Sequence, residues 1–275
     1  MIKLFETVIT LSLLGFIISS VLICLKPFIA KKLPAKWQYY VWIAVLISMI
    51  IPTYKLIPAN QVQKIEQLKI IEVPNIKSEN VSDAYFTSDA SQTTTVINKK
   101  INLTQSVKIS IFELVSIIWI IGVLVFLLTV TVSYAIYILK LRKNSMFVEH
   151  NAVFNQIKKE LKIRRNIRLK ISPKVCSPML VGVFSPIVYM PCREIPQNML
   201  RMVFLHELNH YKRKDLIVKW FALFVNTVHW FNPISYLISA NLSEACEISC
   251  DMEVTQNMSD EDQKLYMKTI LELVE

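Results

Sequence analysis

The chain has 275 residues, of which 53% are hydrophobic, and a formal net charge of +10. An apolar share this large excludes an ordinary soluble domain. The basic residues lie mostly beside apolar runs, as at the cytoplasmic ends of membrane helices facing anionic headgroups. Because no basic helix with interleaved aromatic residues is present, we expect no direct binding of nucleic acid.

The five cysteines are odd in number and irregular in spacing, which predicts reduced thiols rather than a disulfide framework. A metal site built from four of them remains an alternative. It lacks the close CxxC pairs of zinc ribbons, which favours buried thiols instead. Those four residues are Cys176, Cys192, Cys246 and Cys250.

Three apolar runs are long enough to cross a bilayer: Leu4–Leu25, Trp37–Ile57 and Leu114–Leu139. A signal peptide is the alternative for the first run, but lysines follow it instead of a small-residue cleavage site. The greater positive charge after this run places the N-terminus outside. We therefore assign residues 1–57 to two transmembrane helices with a cytoplasmic loop, and residues 109–140 to a third.

Residues 58–108 change composition sharply, being polar and only weakly periodic. With membrane helices on both sides, they are expected to form an extracellular loop. A spacer is favoured over a sensing role.

Residues 141–275 are predicted to form a cytoplasmic, membrane-associated domain. An amphipathic helix is expected at Val153–Ile163 and a half-buried strand over residues 167–171. Two short apolar strands interrupted by prolines follow between Ser177 and Pro191. Because proline is confined to edge or terminal positions of a sheet, at least one of them should be an edge strand. Such an edge could take a substrate as an added strand, although an ordinary capped hairpin fits the spacing equally well.

Helices are expected to fill the rest of this domain. Pro196 starts a helix that should run to about Lys214. The apolar stretch near 216–240 is long enough for a fourth span, but we favour a buried or membrane-dipping helical hairpin that turns at Trp230–Pro233. A last helix is predicted over residues 260–274, and the sequence ends inside it without a terminating signal, as expected of a shortened chain.

The sequence His206-Glu207-x-x-His210 carries the strongest chemical signal. On a helix, the two histidines project from one face and can share one Zn²⁺, with Glu207 beside a water on the metal. A coincidental match in a polar helix turn is the alternative.

A catalytic zinc site needs a third protein ligand and one open position. Glu247 and Asp251 stand out because they lie four residues apart on one helix face. Glu247 would ligate zinc, and Asp251 would accept a hydrogen bond from a ligand imidazole. A solvated acidic face is the alternative. All the downstream candidates are Asp215, Glu244, Glu247, Asp251 and Glu253.

The same residues predict a hydrolytic mechanism. Zinc lowers the pKa of a coordinated water toward about 7, and Glu207 takes its proton as general base before passing it to the leaving amine. A donor for the developing oxyanion is also needed, for which Tyr211 and His229 are candidates.

HExxH at 206–210 with ExxxD at 247–251 resembles the gluzincin metalloproteases. Together with three preceding spans, the proline-flanked hairpin and the segment 229–233, it resembles the BlaR/MecR-type integral-membrane zinc proteases, bacterial transducers that sense β-lactams. This resemblance implies a mainly α membrane protein with three transmembrane helices and a cytoplasmic α+β gluzincin-like domain with a small sheet or hairpin. It also implies His206, His210 and Glu247 as zinc ligands and Glu207 as the base.

The resemblance further implies a bacterial plasma-membrane protein that cleaves itself or triggers the loss of a cytoplasmic DNA-binding repressor. The lipid bilayer and a second copy of the chain are the other expected partners. The sequence ends at Glu275 without a penicillin-binding domain, so either the sensor has been removed or this is a short relative with another input, and drug sensing is not carried over. The alternative function is a non-catalytic membrane receptor or scaffold with a structural zinc site; a small transporter is disfavoured by charges clustered outside the spans.

Overall fold

The computed structural model describes residues 2–52 and 111–274, apart from the side chains of residues 29–31 and 273–274. Within these ranges the chain is mainly helical, with one small mixed sheet. The helices are α1 (Ile2–Lys32), α2 (Ala35–Ser48), α3 (Ile111–Lys143), α4 (Ala152–Glu160), α5 (Gln197–Arg213), α6 (Asp215–Val228), α7 (Pro233–Thr255) and α8 (Asp260–Val274). The strands are β1 (Met146–Val148), β2 (Arg168–Ile171), β3 (Met179–Val181) and β4 (Ile187–Met190).

Two of these helices are long and apolar enough to cross a membrane, over Ile2–Phe28 and Ile111–Lys143. Large apolar side chains of α3 point outward, with Leu124 58% and Leu128 65% exposed. Water would penalise this exposure, whereas lipid would accommodate it. The outward face of α3 therefore fits a bilayer.

The predicted second span, Trp37–Ile57, is not confirmed. Its helix, α2, has 14 residues and is therefore about 21 Å long. A transmembrane helix needs roughly 20 residues, so the 14 residues of α2 alone are too few to cross the bilayer. The end of the predicted span and the predicted extracellular loop over 58–108 lie outside the described residues.

A helical hairpin forms where a single fourth span was the alternative. Four residues, His229 to Asn232, join α6 to α7. The Asn232 side chain caps α7 by accepting a hydrogen bond from the Ile234 N–H (3.0 Å), and Pro233 occupies the first turn. Ser239 on α7 donates to Asn226 on α6 (3.1 Å), so the chain returns along the helix that it has just formed.

The tip of this hairpin is held by the N-terminal helices and α3. Polar groups in an apolar setting need partners within the protein, and the tip supplies them. From α3, Trp119 Nε1 donates to the Val228 carbonyl (3.0 Å). Asn232 Nδ2 donates to Ser12 Oγ of α1 (2.7 Å). His229 Nε2 lies 3.1 Å from the carbonyl of Met49, the residue after α2.

The sheet has the strand order β1-β2-β4-β3, with β2 and β4 parallel and the other two pairs antiparallel. Alternation along β4 sends Val188 toward α4 and α5, and Ile187 and Tyr189 toward Leu141 at the end of α3. All four residues of β4 are buried, whereas β3 lies at the edge, beside α5.

The predicted helix at 153–163, the strand at 167–171, the two proline-flanked strands and the final helix are confirmed within a few residues. The prediction that one proline-flanked strand lies at an edge is also confirmed, since β3 does. Strand β1 has no counterpart among the predicted elements. Its three residues, Met146–Val148, are too few to show a period, and pairing with β2 defines it.

Packing at the hairpin tip predicts that Gly122 tolerates no side chain. A Cβ at this position would overlap the indole ring of Trp230. Gly122→Ala should therefore destabilise the protein by about 1–3 kcal/mol, as overpacking does. Thermal unfolding in detergent micelles measures the effect.

Ser133→Ala is the matched control, because Ser133 is exposed on the same helix. It should change stability by less than about 0.5 kcal/mol. Equal melting temperatures for the two variants would contradict the packing described for the tip.

Candidate metal centre and active site

Helix α5 presents the HExxH residues to the interior, with Glu207 and His210 each 8% exposed. The helix ends at Arg213, and Lys214 takes the left-handed conformation (φ 63°). This conformation turns the chain sharply and begins α6 at Asp215, next to the HExxH face. A left-handed lysine is uncommon, so the surrounding packing holds this turn in place.

Three ligand atoms converge between α5 and α7. The Nε2 atoms of His206 and His210 are 3.1 Å apart. Glu247 Oε2 lies 3.1 Å from His210 Nε2 and 3.5 Å from His206 Nε2. Residues distant in sequence thus place two nitrogens and one carboxylate oxygen around a single point.

These spacings fit a zinc ion. Nitrogen and oxygen ligands bind zinc at about 2.0–2.1 Å, so two ligands of a tetrahedral ion lie roughly 3.3–3.4 Å apart. The three distances, 3.1 to 3.5 Å, bracket that value. Two imidazoles and one carboxylate also leave a fourth position open, as catalytic zinc sites do.

Both imidazoles are oriented by acceptors at their other nitrogen. His210 Nδ1 lies 2.7 Å from Asp215 Oδ2, and His206 Nδ1 lies 3.1 Å from Asp251 Oδ1. Donation from Nδ1 to a carboxylate leaves the Nε2 lone pair free for a metal and makes it more basic. Asp251 therefore lies where the ExxxD spacing predicts a carboxylate that accepts a hydrogen bond from a ligand imidazole.

Tyr266 from α8 completes the surroundings of His206. Its hydroxyl lies 2.7 Å from His206 Nδ1 and donates to Asp251 Oδ1 at 2.6 Å. The side chain is 2% exposed. The last helix therefore contributes directly to the position of one candidate ligand.

Glu207 is buried beside the three ligand atoms. Burial raises the pKa of this carboxyl, while the two histidines and a hydrogen bond from the Leu180 backbone N–H lower it in part. The bond to Leu180 anchors the carboxylate to the edge strand β3. A carboxyl with a raised pKa is better matched to accepting a proton near neutral pH.

The carboxylate of Glu247 is divided between two partners. Oε2 faces the imidazoles, and Oε1 accepts a hydrogen bond from Lys219 Nζ at 2.9 Å. Burial alone would raise the pKa of Glu247, but the hydrogen bonds from His206 and His210 and the charge of Lys219 lower it strongly. Glu247 is therefore an anion suited to ligate a cation.

The carboxylates around the histidines reverse the effect of burial. Burial alone would lower the pKa of His206, but hydrogen bonds to Asp251 and Glu247 raise it to about 10. Burial alone would also lower the pKa of His210. The hydrogen bonds to Asp215 and to nearby groups outweigh burial, so this pKa lies above its ordinary value. The neighbouring carboxylates therefore favour a proton on this pair of imidazoles when no metal is bound.

A cavity of about 450 Å³ opens onto this cluster. Both charged and apolar side chains line it. The apolar lining includes Met179 and Leu180 from β3, Val203 from α5, Leu216 from α6 and Ile270 from α8. A cavity of this size accommodates a few residues of an extended peptide.

The two predicted oxyanion donors lie elsewhere. His229 is fully buried at the hairpin tip against Met49, at the end of α6 opposite to Asp215. Tyr211 packs against the core between α5 and the sheet. Neither residue is among those that line the cavity at the three ligand atoms.

Two buried thiols approach the cluster. Cys250 lies within 4.8 Å of the ligand atoms of His206 and His210, and Cys246 within 4.8 Å of those of His210 and Glu247. Cys176 and Cys192 are exposed, whereas Cys246 and Cys250 are buried. Among the described residues no disulfide pairs these cysteines, in agreement with the prediction of reduced thiols.

Part of the site cannot be read from the sequence. Asp215 is one of several candidate ligands by sequence, whereas in the structure its carboxylate lies at Nδ1 of His210. Lys219 follows one helix turn later. Tyr266 and Tyr39 carry no local signal, because they meet the site across 60 and 176 residues of sequence.

Comparison with known proteins places the site in context. The profile of a family described as BlaR1 peptidase M56 matches residues 3–275. Regulatory protein BlaR1 of Bacillus licheniformis is 28% identical over 263 residues, covering 90% of this chain and 42% of that protein. The methicillin resistance mecR1 proteins of Staphylococcus aureus and Staphylococcus epidermidis are each 24% identical over 265 residues, covering 93% of this chain and 44% of those proteins. The chain thus spans less than half the length of these relatives.

The raised histidine pKa values predict that zinc uptake displaces protons. Zinc binds neutral imidazoles, so its binding near neutral pH should release at least one proton from this pair of histidines. Apparent zinc affinity should therefore rise with pH through the neutral range. Calorimetric titration in buffers of different ionisation heats counts the protons. A titration heat that is independent of the buffer would contradict this electrostatic arrangement.

Proposed function

The chain belongs to the BlaR1 peptidase M56 family, and we propose that it is a membrane-embedded zinc endopeptidase whose active site lies between α5 and α7. One observation carries the proposal. His206, His210 and Glu247 bring three ligand atoms within 3.1–3.5 Å of one another beside the buried carboxylate of Glu207. A purely structural site would need no such carboxylate.

The three ligands would hold the ion, and Asp215 and Asp251 would fix the two imidazoles. When bound, zinc would lower the pKa of a coordinated water to about 7 and polarise the scissile carbonyl. Glu207 takes a proton from the attacking water and delivers it to the leaving amine. The peptide C–N bond breaks, and the products are a carboxylate and an amine.

The edge strand β3 offers a path for the substrate. It pairs with β4 on one side, and its Leu180 N–H points to Glu207 on the other. A peptide added beside β3 as an extended strand would pass over the cavity and across Glu207. The apolar lining favours an extended substrate with apolar side chains.

The proposed setting is the cytoplasmic face of a bacterial plasma membrane, with the N-terminus outside. This arrangement requires a third crossing, by α2 together with the residues that follow it. Lys140, Arg142 and Lys143 at the end of α3 support this orientation. The names of the relatives, a regulatory protein and methicillin resistance proteins, support a role in signal transduction. We propose that the substrates are the chain itself or a cytoplasmic transcriptional repressor.

The central test removes the base and keeps the ligands. Glu207→Gln should leave zinc content unchanged and reduce cleavage by roughly 10²–10⁴-fold, because proton transfer by a positioned carboxylate contributes about that much. Cleavage of unfolded casein and loss of the intact chain on gels are measured together with zinc content.

Glu194→Gln, in the exposed segment before α5, is the matched control and should behave as the unmodified protein. If Glu207→Gln retains both zinc and full cleavage, Glu207 is not the base.

A second candidate function is supported by the two thiols. Cys246 and Cys250 lie near enough to the histidines to join a closed structural site in a non-catalytic receptor or scaffold. Glu207 would then have no chemical role, and the fourth position would be filled.

Cobalt substitution separates the two functions. Cobalt bound through His206, His210 and Glu247 should show no thiolate-to-cobalt charge-transfer absorption, and Cys250→Ser should leave the spectrum unchanged. A strong thiolate band that either Cys250→Ser or Cys246→Ser abolishes would establish the closed site and exclude the open catalytic one.

A further inference from the structure

Helix α2 reaches the metal centre through one side chain. Tyr39 is 5% exposed, and its hydroxyl donates a hydrogen bond to Asp215 Oδ1 at 2.9 Å. Asp215 Oδ2 in turn lies 2.7 Å from His210 Nδ1. A helix at the start of the chain is thus two hydrogen bonds from the imidazole through which His210 would bind a metal.

We propose that Tyr39 is a positioning residue of the metal centre, which fixes the carboxylate of Asp215 and thereby the imidazole of His210. The inference rests on the proposed function in one respect, since it takes His210 as a zinc ligand. It adds that retention of the metal depends on the placement of α2.

The partners of Asp215 explain why Tyr39 is needed. The carboxylate is 1% exposed, so its oxygens depend on protein donors. Oδ2 has His210 and Arg213 Nε (3.1 Å), whereas Oδ1 has Tyr39 and a longer contact to the same Nε (3.3 Å). Without the tyrosine hydroxyl, Oδ1 keeps only that longer contact. The carboxylate can then rotate toward Arg213 and away from His210.

Tyr39 also fixes the competing cation. The Arg213 guanidinium lies over the Tyr39 ring, 5.1 Å from its centroid. One side chain therefore orients both the carboxylate and the arginine that shares it. Tyr39→Phe removes the hydrogen bond and keeps the ring, so the two roles can be separated.

The position of α2 gives the contact a mechanical consequence. The helix packs against α6 and α7 through Trp42, Val45 and Leu46. The hydrogen bond from Tyr39 is short and directional, so a displacement of α2 by about 1 Å along its axis would weaken it. A change at α2 would reach His210 through Asp215.

The test compares Tyr39→Phe with Tyr40→Phe in the full chain in detergent micelles. Tyr40 is the next residue and is 52% exposed, so it serves as the matched control. Competition with a fluorescent chelator gives the zinc dissociation constant. Tyr39→Phe should raise it about tenfold, the lower end of the effect of removing an outer partner of a metal ligand. Tyr40→Phe should leave it unchanged.

A double variant shows whether Tyr39 acts through Asp215. If it does, adding Tyr39→Phe to Asp215→Asn should weaken zinc binding no further, because the carboxylate that the tyrosine fixes is gone. Tyr39→Phe should also lower the melting temperature, because a buried hydrogen bond to a charged group is lost. Zinc affinity is therefore compared at a temperature at which both variants keep the circular dichroism of the folded protein, which separates positioning from loss of structure.

Two results would overturn the inference: equal zinc affinity in Tyr39→Phe and Tyr40→Phe, or additive losses in the double variant. Neither readout involves peptide cleavage. If the unmodified chain binds zinc but cleaves no peptide, the proposed protease function is refuted. The positioning role of Tyr39 is then still decided by the zinc affinities of the variants.

Discussion

The antiparallel return of α7 along α6 is the constraint on which the candidate site depends. Two of its ligands lie on α5, and the third lies 37 residues after His210 on α7. The chain can bring them together only by turning back, which Asn232 and Pro233 allow by capping the returning helix. Ser239–Asn226 and Lys219–Glu247 then pair the two helices along their length and set the register that delivers Glu247.

Charge pairing determines how such a polar cluster can be buried. A lone buried carboxylate or imidazolium would cost several kcal/mol, and breaking a buried pair is comparably expensive. Here each histidine faces an aspartate at Nδ1 and shares Glu247 at Nε2. Asp215 also occupies the first position of α6, where the helix dipole favours an anion. The surrounding structure is therefore built to hold imidazoles in one orientation, which is what a metal ligand requires.

What the sequence can predict follows from the range over which each signal acts. HExxH and ExxxD are helical spacings, so the local pattern singles out His206, His210, Glu247 and Asp251 as candidates. Tyr266 and Lys219 reach the site through tertiary packing that no spacing encodes. His229 misleads for the opposite reason. A histidine close in sequence to the predicted site offers itself as a donor, but the turn that holds it forms the hairpin tip, where its imidazole contacts the Met49 carbonyl. Strand β1 depends on its partner and has no pattern of its own.

Helix α2 contacts α6 at two separated levels, and this double contact makes the membrane-side structure and the site parts of one unit. Near its start, Tyr39 bonds to Asp215 at the beginning of α6. Just past its end, the Met49 carbonyl bonds to His229 at the end of α6. The two contacts follow the same order in both helices, so α2 and α6 run in the same direction. A hydrogen bond at each level and an apolar seam between them resist sliding of one helix along the other. Any movement of α2 must therefore carry α6 with it or break one of these buried hydrogen bonds. One of the two is the bond from Tyr39 to Asp215, the residue that orients the candidate metal ligand His210.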